Sequence, residues 1–322
     1  MNYIFLAVGF VLLVKGADIF VDGTSNIARL FKIPPLIIGL TIVAFGTSAP
    51  EAAVSITASL NGQNGMAIGN VIGSNTFNLL MVIGAAGFIK NLDVGKSILY
   101  KELPFVLAAS ALMLLLSLDF SLGYFDGFIL LSSFILFLYY LLHTSLKFRG
   151  NYLSINETYI AIDSDVLTLE RNVSTIKSIF LSFVGIISII YGGKMVVNYA
   201  SAIASTFGVS DQLISITIVA IGTSLPEFIT SLVAATKGES ALALGSVIGS
   251  NMFNILFVLG ASAFMSPMPI GPRLIADAIF MIIATVIVSL FAYIKNDISK
   301  YESLILMGLY IFYIISLINT VY

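Results

Sequence analysis

The stretch Gly-Thr-Ser-x-Pro-Glu occurs twice, at 46–51 and at 222–227, each time within a run of apolar residues. Glu51 and Glu227 therefore read as carboxyls set deep in hydrophobic surroundings. An ionised acid at the centre of a bilayer costs about 3 kcal/mol even on insertion scales, so a membrane-embedded acid is a functional candidate by default. Thr47 and Glu51 are four residues apart and share one helical face, as do Thr223 and Glu227. A second stretch, Gly69–Asn78, is repeated at Gly245–Asn254 and places Ser74 with Asn78, and Ser250 with Asn254, at the same spacing. Ser48 and Ser224 add hydroxyls, and Asn75 and Asn251 add amides. Pro50 and Pro226 each remove a backbone donor and free the carbonyl one turn earlier, at Gly46 and Gly222, with those of Ala44 and Ala220 just beyond. The inventory is carboxylate, hydroxyl, amide and carbonyl oxygen, which suits hard cations such as Ca²⁺ or Na⁺. Two carboxylates match the charge of one Ca²⁺.

Rival chemistries fit less well. The chain has no Cys, which excludes disulfides, thiolate metal sites and a Cys nucleophile, and its lone His143 cannot build a multi-histidine centre. A hydrolase using Ser48 or Ser224 lacks a His or Lys base beside either serine. Close helix packing explains part of the role of Gly69, Gly73, Gly245 and Gly249, but it requires no acid. A channel or scaffold is the remaining rival from another class.

The elements that position these residues follow from composition. Of 322 residues 58% are hydrophobic and 10% charged, with a mean hydropathy of +1.04, so no polar shell can cover a water-facing surface. With 15 basic against 17 acidic residues there is no polycationic face for nucleic acid. An all-α polytopic membrane protein is expected. Apolar runs of roughly 20 residues place ten spans at about 3–29, 35–60, 66–88, 98–118, 122–146, 177–207, 212–236, 241–265, 274–294 and 301–321. The start Met1-Asn2-Tyr3 has no basic n-region, so the first segment reads as a retained span. Lys and Arg gather in the odd-numbered connections, whereas the even-numbered ones hold Arg273 alone. A multi-pass plasma-membrane protein with both termini outside is the expected topology.

The polar stretch 147–176, with Glu157, Asp163, Asp165, Glu170 and Arg171, reads as a cytoplasmic linker between five-span units at 1–146 and 177–322. Shifted by 176 residues, the chain matches itself without gaps, and about half of the positions from 39 to 85 are identical to their partners. Five is odd, so the second unit enters the bilayer from the opposite side. Inverted repeats of this kind place a site near the midplane where the units meet, on discontinuous helices, expected here to be spans 2, 3, 7 and 8. Asp18 and Lys194 are equivalent across the repeats, and with Lys15 and Asp22 nearby they are expected to form structural ion pairs.

The paired Gly-Thr-Ser-x-Pro-Glu and Gly-x-Val-Ile-Gly-Ser-Asn-x-Phe-Asn motifs resemble the α-repeats of the sodium/calcium exchanger family, particularly its prokaryotic members, over essentially the whole chain. That resemblance implies a secondary antiporter rather than an enzyme, exchanging about three Na⁺ for each Ca²⁺ with a net charge moved across the membrane. It implies no cofactor and no obligatory protein partner, only the two ions and the bilayer. It makes Glu51 and Glu227 the shared central ligands. Thr47, Ser48, Ser74, Asn78 and the Ala44 carbonyl are implied in the first repeat, and Thr223, Ser224, Ser250 and the Ala220 carbonyl in the second. Asn254 stands where some archaeal members and the potassium-dependent branch carry Asp, which leaves two formal charges and is expected to weaken any K⁺ co-transport and to remove a proton-accepting group. The first and sixth spans are implied to slide across the core. Proton-coupled exchange, or exchange of another cation, is the alternative left open by the residues.

Overall fold

The computed structural model describes residues 1–160, 175–207 and 220–321. In chain order the helices are α1 (Asn2–Phe31), α2 (Pro35–Thr47), α3 (Ala49–Leu60), α4 (Asn64–Ile89), α5 (Ile98–Leu116) and α6 (Tyr124–Ile160). After them come α7 (Thr175–Thr206), α8 (Ala220–Thr223), α9 (Leu225–Thr236), α10 (Ser240–Met265), α11 (Pro272–Lys295) and α12 (Lys300–Val321). Among the described residues, eight helices are long and apolar enough to cross a membrane, or nine when α2 and α3 count as one span bent by 51°. The start of the expected seventh span, 212–219, lies outside the described residues. So do Asp163, Asp165, Glu170 and Arg171 of the expected linker, whose first part, to residue 160, continues α6 as helix.

Proline sets the two breaks. Ser48 (φ −83°, ψ 5°) separates α2 from α3, and Ser224 (φ −91°, ψ 5°) separates α8 from α9, with Pro50 and Pro226 in the first turn of the following helix. A proline is accommodated there because its missing N–H would have no intrahelical partner anyway. Spans 3 and 8 differ from the expectation of discontinuity. Neither contains a proline, and α4 and α10 run unbroken, each widened by a π-helical segment, Asn78–Val82 and Phe253–Leu259.

Burial grades outward from these elements. The hydrophobic window of α10 is 94% buried, against 33% for α1 and for α7. The latter two pack on each other through glycines: a Cβ at Gly192 would lie 2.7 Å from the Leu13 amide nitrogen, and one at Gly16 would lie 2.8 Å from Ser188 Cβ. Two short antiparallel pairings tie the connections together. The strand β1 (Leu92–Asp93) pairs with β4 (Asp297–Ile298), and β2 (Ser121–Leu122) pairs with β3 (Met268–Pro269). Because α5, 19 residues long, separates β1 from β2, the two pairings stand about 28 Å apart, at opposite ends of the bundle. Residues 92–93 and their 176-shifted counterparts 268–269 therefore sit at opposite ends.

The expected ion pairing is corrected. Asp18 and Asp22 both bond Lys237, in the turn between α9 and α10, at 2.7 Å, whereas Lys15 and Lys194 are exposed. The turn folds back along α1 and brings an ammonium within reach that distance in sequence concealed.

Filling the α1–α7 contact should loosen this pair. Gly192→Leu is expected to lower the thermal unfolding midpoint in detergent by about 3–10 °C. Gly308→Leu, where an added Cβ meets open space, is expected to stay within about 2 °C. Equal losses at both positions would contradict this account of the packing.

Candidate functional site

The two breaks bring both acids to one place. Glu51 lies in the first turn of α3 and Glu227 in the first turn of α9, each 1% exposed. The start of a helix carries the positive end of its dipole and free backbone N–H groups, so it favours a carboxylate at that position. Each acid also receives a hydroxyl from the other half of the chain. Ser48 Oγ donates to Glu227 Oε1 at 2.7 Å, and Ser224 Oγ donates to Glu51 Oε1 at 2.9 Å. Ser74 is bonded to Ser224 through their hydroxyls at 3.0 Å. Thr47 and Ser250 lie beside Glu227, and the two carboxylates are near enough to repel one another.

This exchange is not visible locally. Ser48-x-x-Glu51 and Ser224-x-x-Glu227 have the spacing of a capping box, in which the serine would bond within its own helix. Neither serine caps its helix by a side-chain bond. The hydroxyls cross the interface instead, each to the acid of the other half.

Below the acids, α4 and α10 meet through asparagines. Asn75 Nδ2 donates to the Asn251 carbonyl (3.2 Å) and Asn251 Nδ2 to the Asn75 carbonyl (3.4 Å). Asn78 Nδ2 donates to Asn251 Oδ1, and Asn254 Nδ2 to Asn75 Oδ1, both at 3.1 Å. The pattern is reciprocal: each bond has a counterpart with the two halves interchanged. Asn75 and Asn251 stood outside the expected ligand set, and their signal was their repetition between Ser and Phe in both motifs. Asn70 also emerges, donating to Ser55 Oγ at 2.9 Å and to the Glu51 carbonyl at 3.4 Å.

The remaining expected residues occupy the same region with different degrees of engagement. Thr47 is buried and its hydroxyl donates to the Val43 carbonyl at 3.0 Å, with the Ala44 carbonyl at 3.3 Å. The Ala44 carbonyl also accepts from the Ser48 amide at 2.9 Å. Ala220 opens the short helix α8 and Thr223, half-buried, closes it.

Five buried oxygens here have no hydrogen-bond partner: Glu51 Oε2, Glu227 Oε2, Asn78 Oδ1, Asn254 Oδ1 and Ser250 Oγ. Leaving such groups bare costs about 1–3 kcal/mol each, more for charged ones, so a concentration of acceptors fits a cation. Among the described residues no group of three or more acidic or histidine side chains forms, so the acidic charge of the centre comes from Glu51 and Glu227. A further buried carboxyl, Glu102 in α5, accepts from Ser97 Oγ at 3.1 Å and from the Tyr140 hydroxyl at 3.4 Å, and serves the packing of α5 on α6. His143 is exposed on α6 with its ring stacked on Tyr139.

Comparison with known proteins points the same way as this chemistry. The family described as sodium/calcium exchanger protein matches residues 1–143 and 177–319. The chain is 41% identical to the putative antiporter CaxA of Alkalimonas amylolytica, over 82% of this chain and 81% of that one. It is 30% identical to the sodium/calcium exchanger MaX1 of Methanosarcina acetivorans over 98% of each chain. Among solved structures it is similar to the sodium-calcium exchanger NCX_Mj, with a TM-score of 0.84, 30% identity and 98% of each chain covered.

The reciprocal amide pairing generates a prediction. Asn75→Leu or Asn254→Leu alone strands the other member of the Asn254 Nδ2–Asn75 Oδ1 bond and is expected to destabilise the protein by about 1–3 kcal/mol. The double variant removes that donor and its acceptor together and is expected to lose less than the sum, as read by thermal unfolding in detergent. Strict additivity would show that the two amides do not depend on each other.

Proposed function

The chain belongs to the sodium/calcium exchanger family of multi-pass membrane antiporters, which are transporters and not enzymes, and from that premise we propose that it moves about three Na⁺ against each Ca²⁺ through a site centred on Glu51 and Glu227. The observation that carries this reading is the set of five unpartnered buried oxygens gathered round two acids, one contributed by each half of the chain. Thr47, Ser48, Ser74, Asn78 and the Ala44 carbonyl complete the first side. Thr223, Ser224, Ser250, Asn254 and the Ala220 carbonyl complete the second.

Cation loading changes what the serines do. With the centre as described, Ser48 and Ser224 point their hydrogens at the carboxylates. When a cation arrives, each hydroxyl turns its lone pairs to the ion, and the acids exchange two hydrogen bonds for direct coordination. Ca²⁺ and Na⁺ compete because they share the same two carboxylates. A loaded site is close to neutral and can cross the core, whereas a bare one holds two uncompensated charges in a low dielectric. Moving about three Na⁺ per Ca²⁺ transfers one net charge, worth ~2.3 kcal/mol per 100 mV, so a negative interior assists Ca²⁺ extrusion.

The architecture proposed for this task is ten spans in two inverted units of five, with both termini outside. The location of 92–93 and 268–269 at opposite ends of the bundle supports the inversion, and the placement of Lys and Arg supports the orientation. The weakly buried α1 and α7, zipped to each other by glycines, are suited to slide as one body across the static centre. Asn254 leaves the centre without a third carboxylate, and exchange is accordingly proposed to need no K⁺.

Two measurements on proteoliposomes test the reading. Glu51→Gln and Glu227→Gln are each expected to abolish Na⁺-driven ⁴⁵Ca²⁺ uptake, and normal flux in either would refute the assignment of the acids. Replacing K⁺ by choline on both sides is expected to leave the unmodified protein's rate unchanged. A rate that collapses without K⁺, or one driven by a pH gradient in Na⁺-free buffer, would overturn the coupling proposed.

A further inference from the structure

The α1–α7 pair is tied to the centre by a cluster of charges that the exchange reaction does not use. Asp18 and Asp22, one helical turn apart on α1, both lie 2.7 Å from Lys237 Nζ, which also donates to the Asp18 carbonyl at 2.7 Å. Farther along α1, Arg29 bonds Glu239 at 2.9 Å. These groups and Ser25 surround a cavity of about 380 Å³, and Ser25 Oγ is buried within it without a partner. Lys237 and Glu239 belong to the tight turn joining α9, which carries Glu227, to α10.

Applying the 176-residue shift shows what is unusual. Asp18, Asp22 and Arg29 correspond to Lys194, Asn198 and Ser205, and Lys237 and Glu239 correspond to Asn61 and Gln63. The α3–α4 turn therefore offers two neutral amides where the α9–α10 turn offers a cation and an anion. The crossed serine–glutamate bonds and the amide pairs of the centre each have a counterpart in the other half, whereas among the described residues this cluster has none.

We infer that the cluster is a one-sided latch, clamping α1 to the α9–α10 turn at the end of the bundle that bears the basic loops and biasing the protein toward the conformation open at the other end. The inference rests on the alternating-access reading above. In an inverted-repeat carrier the two access states are near images of each other, so a contact with no counterpart stabilises one of them selectively. Single exposed ion pairs contribute little, but here two carboxylates and a carbonyl converge on one ammonium. Partial burial works against the Lys237 charge, yet the hydrogen bonds and charges of Asp18 and Asp22 outweigh it and hold this lysine above its ordinary range, so the clamp persists at neutral pH.

The absence of cysteine makes the test direct. Ser25→Cys places a single near-isosteric thiol under the latch, and its labelling by a membrane-impermeant maleimide is followed from each side of the full-length protein in vesicles. Adding Lys237→Gln is expected to raise labelling from the basic-loop side by about threefold or more. Adding Asp18→Asn, Asp22→Lys and Lys237→Asp together, which rebuilds one pair with reversed polarity, is expected to return it toward the parent rate. Arg29→Gln is expected to give a smaller rise and carries the test should the Lys237 variant fail to insert. Parent-rate labelling in Lys237→Gln or Arg29→Gln, or fast labelling that the reversed pair does not slow, would overturn the latch. Labelling requires no ion gradient, so loss of Na⁺-driven Ca²⁺ flux in the parent would defeat the exchange reading separately.

Discussion

Two ionisable side chains held away from water, near enough to repel, are the constraint round which this molecule is organised. Each carboxylate is compensated twice. The helix it begins supplies the positive end of a dipole, and a serine from the other half supplies a hydrogen bond. The second compensation binds the halves together, since parting them would strip a donor from both acids at once. Proline makes the first possible by ending one helix and starting another at membrane depth, where an unbroken helix would present no free N–H groups.

The same constraint separates an enclosed centre from a less buried periphery. Around the acids, α4 and α10 are bound by amides that bond across the interface in matched pairs, and α10 is almost wholly enclosed. The π-helical segments begin at Asn78 in α4 and at Phe253, next to Asn254, in α10, so the ladder of backbone bonds widens where the polar side chains meet. By contrast α1 and α7 hold chiefly to one another, through backbone approaches that only glycine permits. One buried hydrophobic cluster also joins both helices to Ile38, Ala234 and Leu242 of the central elements. Charges at one turn add to that attachment.

Two carboxylates rather than three also bear on what the centre tolerates. Asn254 contributes an amide that is already donating to Asn75, which leaves its oxygen without a hydrogen-bond partner. A neutral amide at that position leaves Glu51 and Glu227 as the acids of the centre among the described residues. It also lowers the repulsion that the bare centre must withstand.

Much of this was legible from residues alone. Membrane depth, the duplicated motifs, the oxygen-only chemistry and the two acids follow from hydropathy and a fixed repeat, because a carboxyl inside an apolar run is too costly to be kept for packing. Proline likewise marked the helix breaks at Ser48 and Ser224. The tertiary structure decided the partners. Whether Ser48 caps its own helix or bonds Glu227, 179 residues away, depends on the distance between helices, which no local pattern encodes. Asp18 met Lys237 rather than Lys194 for the same reason: repeat symmetry relates equivalent positions but does not place them in contact, and an ion pair forms where a turn happens to lie alongside a helix. Spans 3 and 8 stayed whole because polarity alone, without proline, does not break a helix.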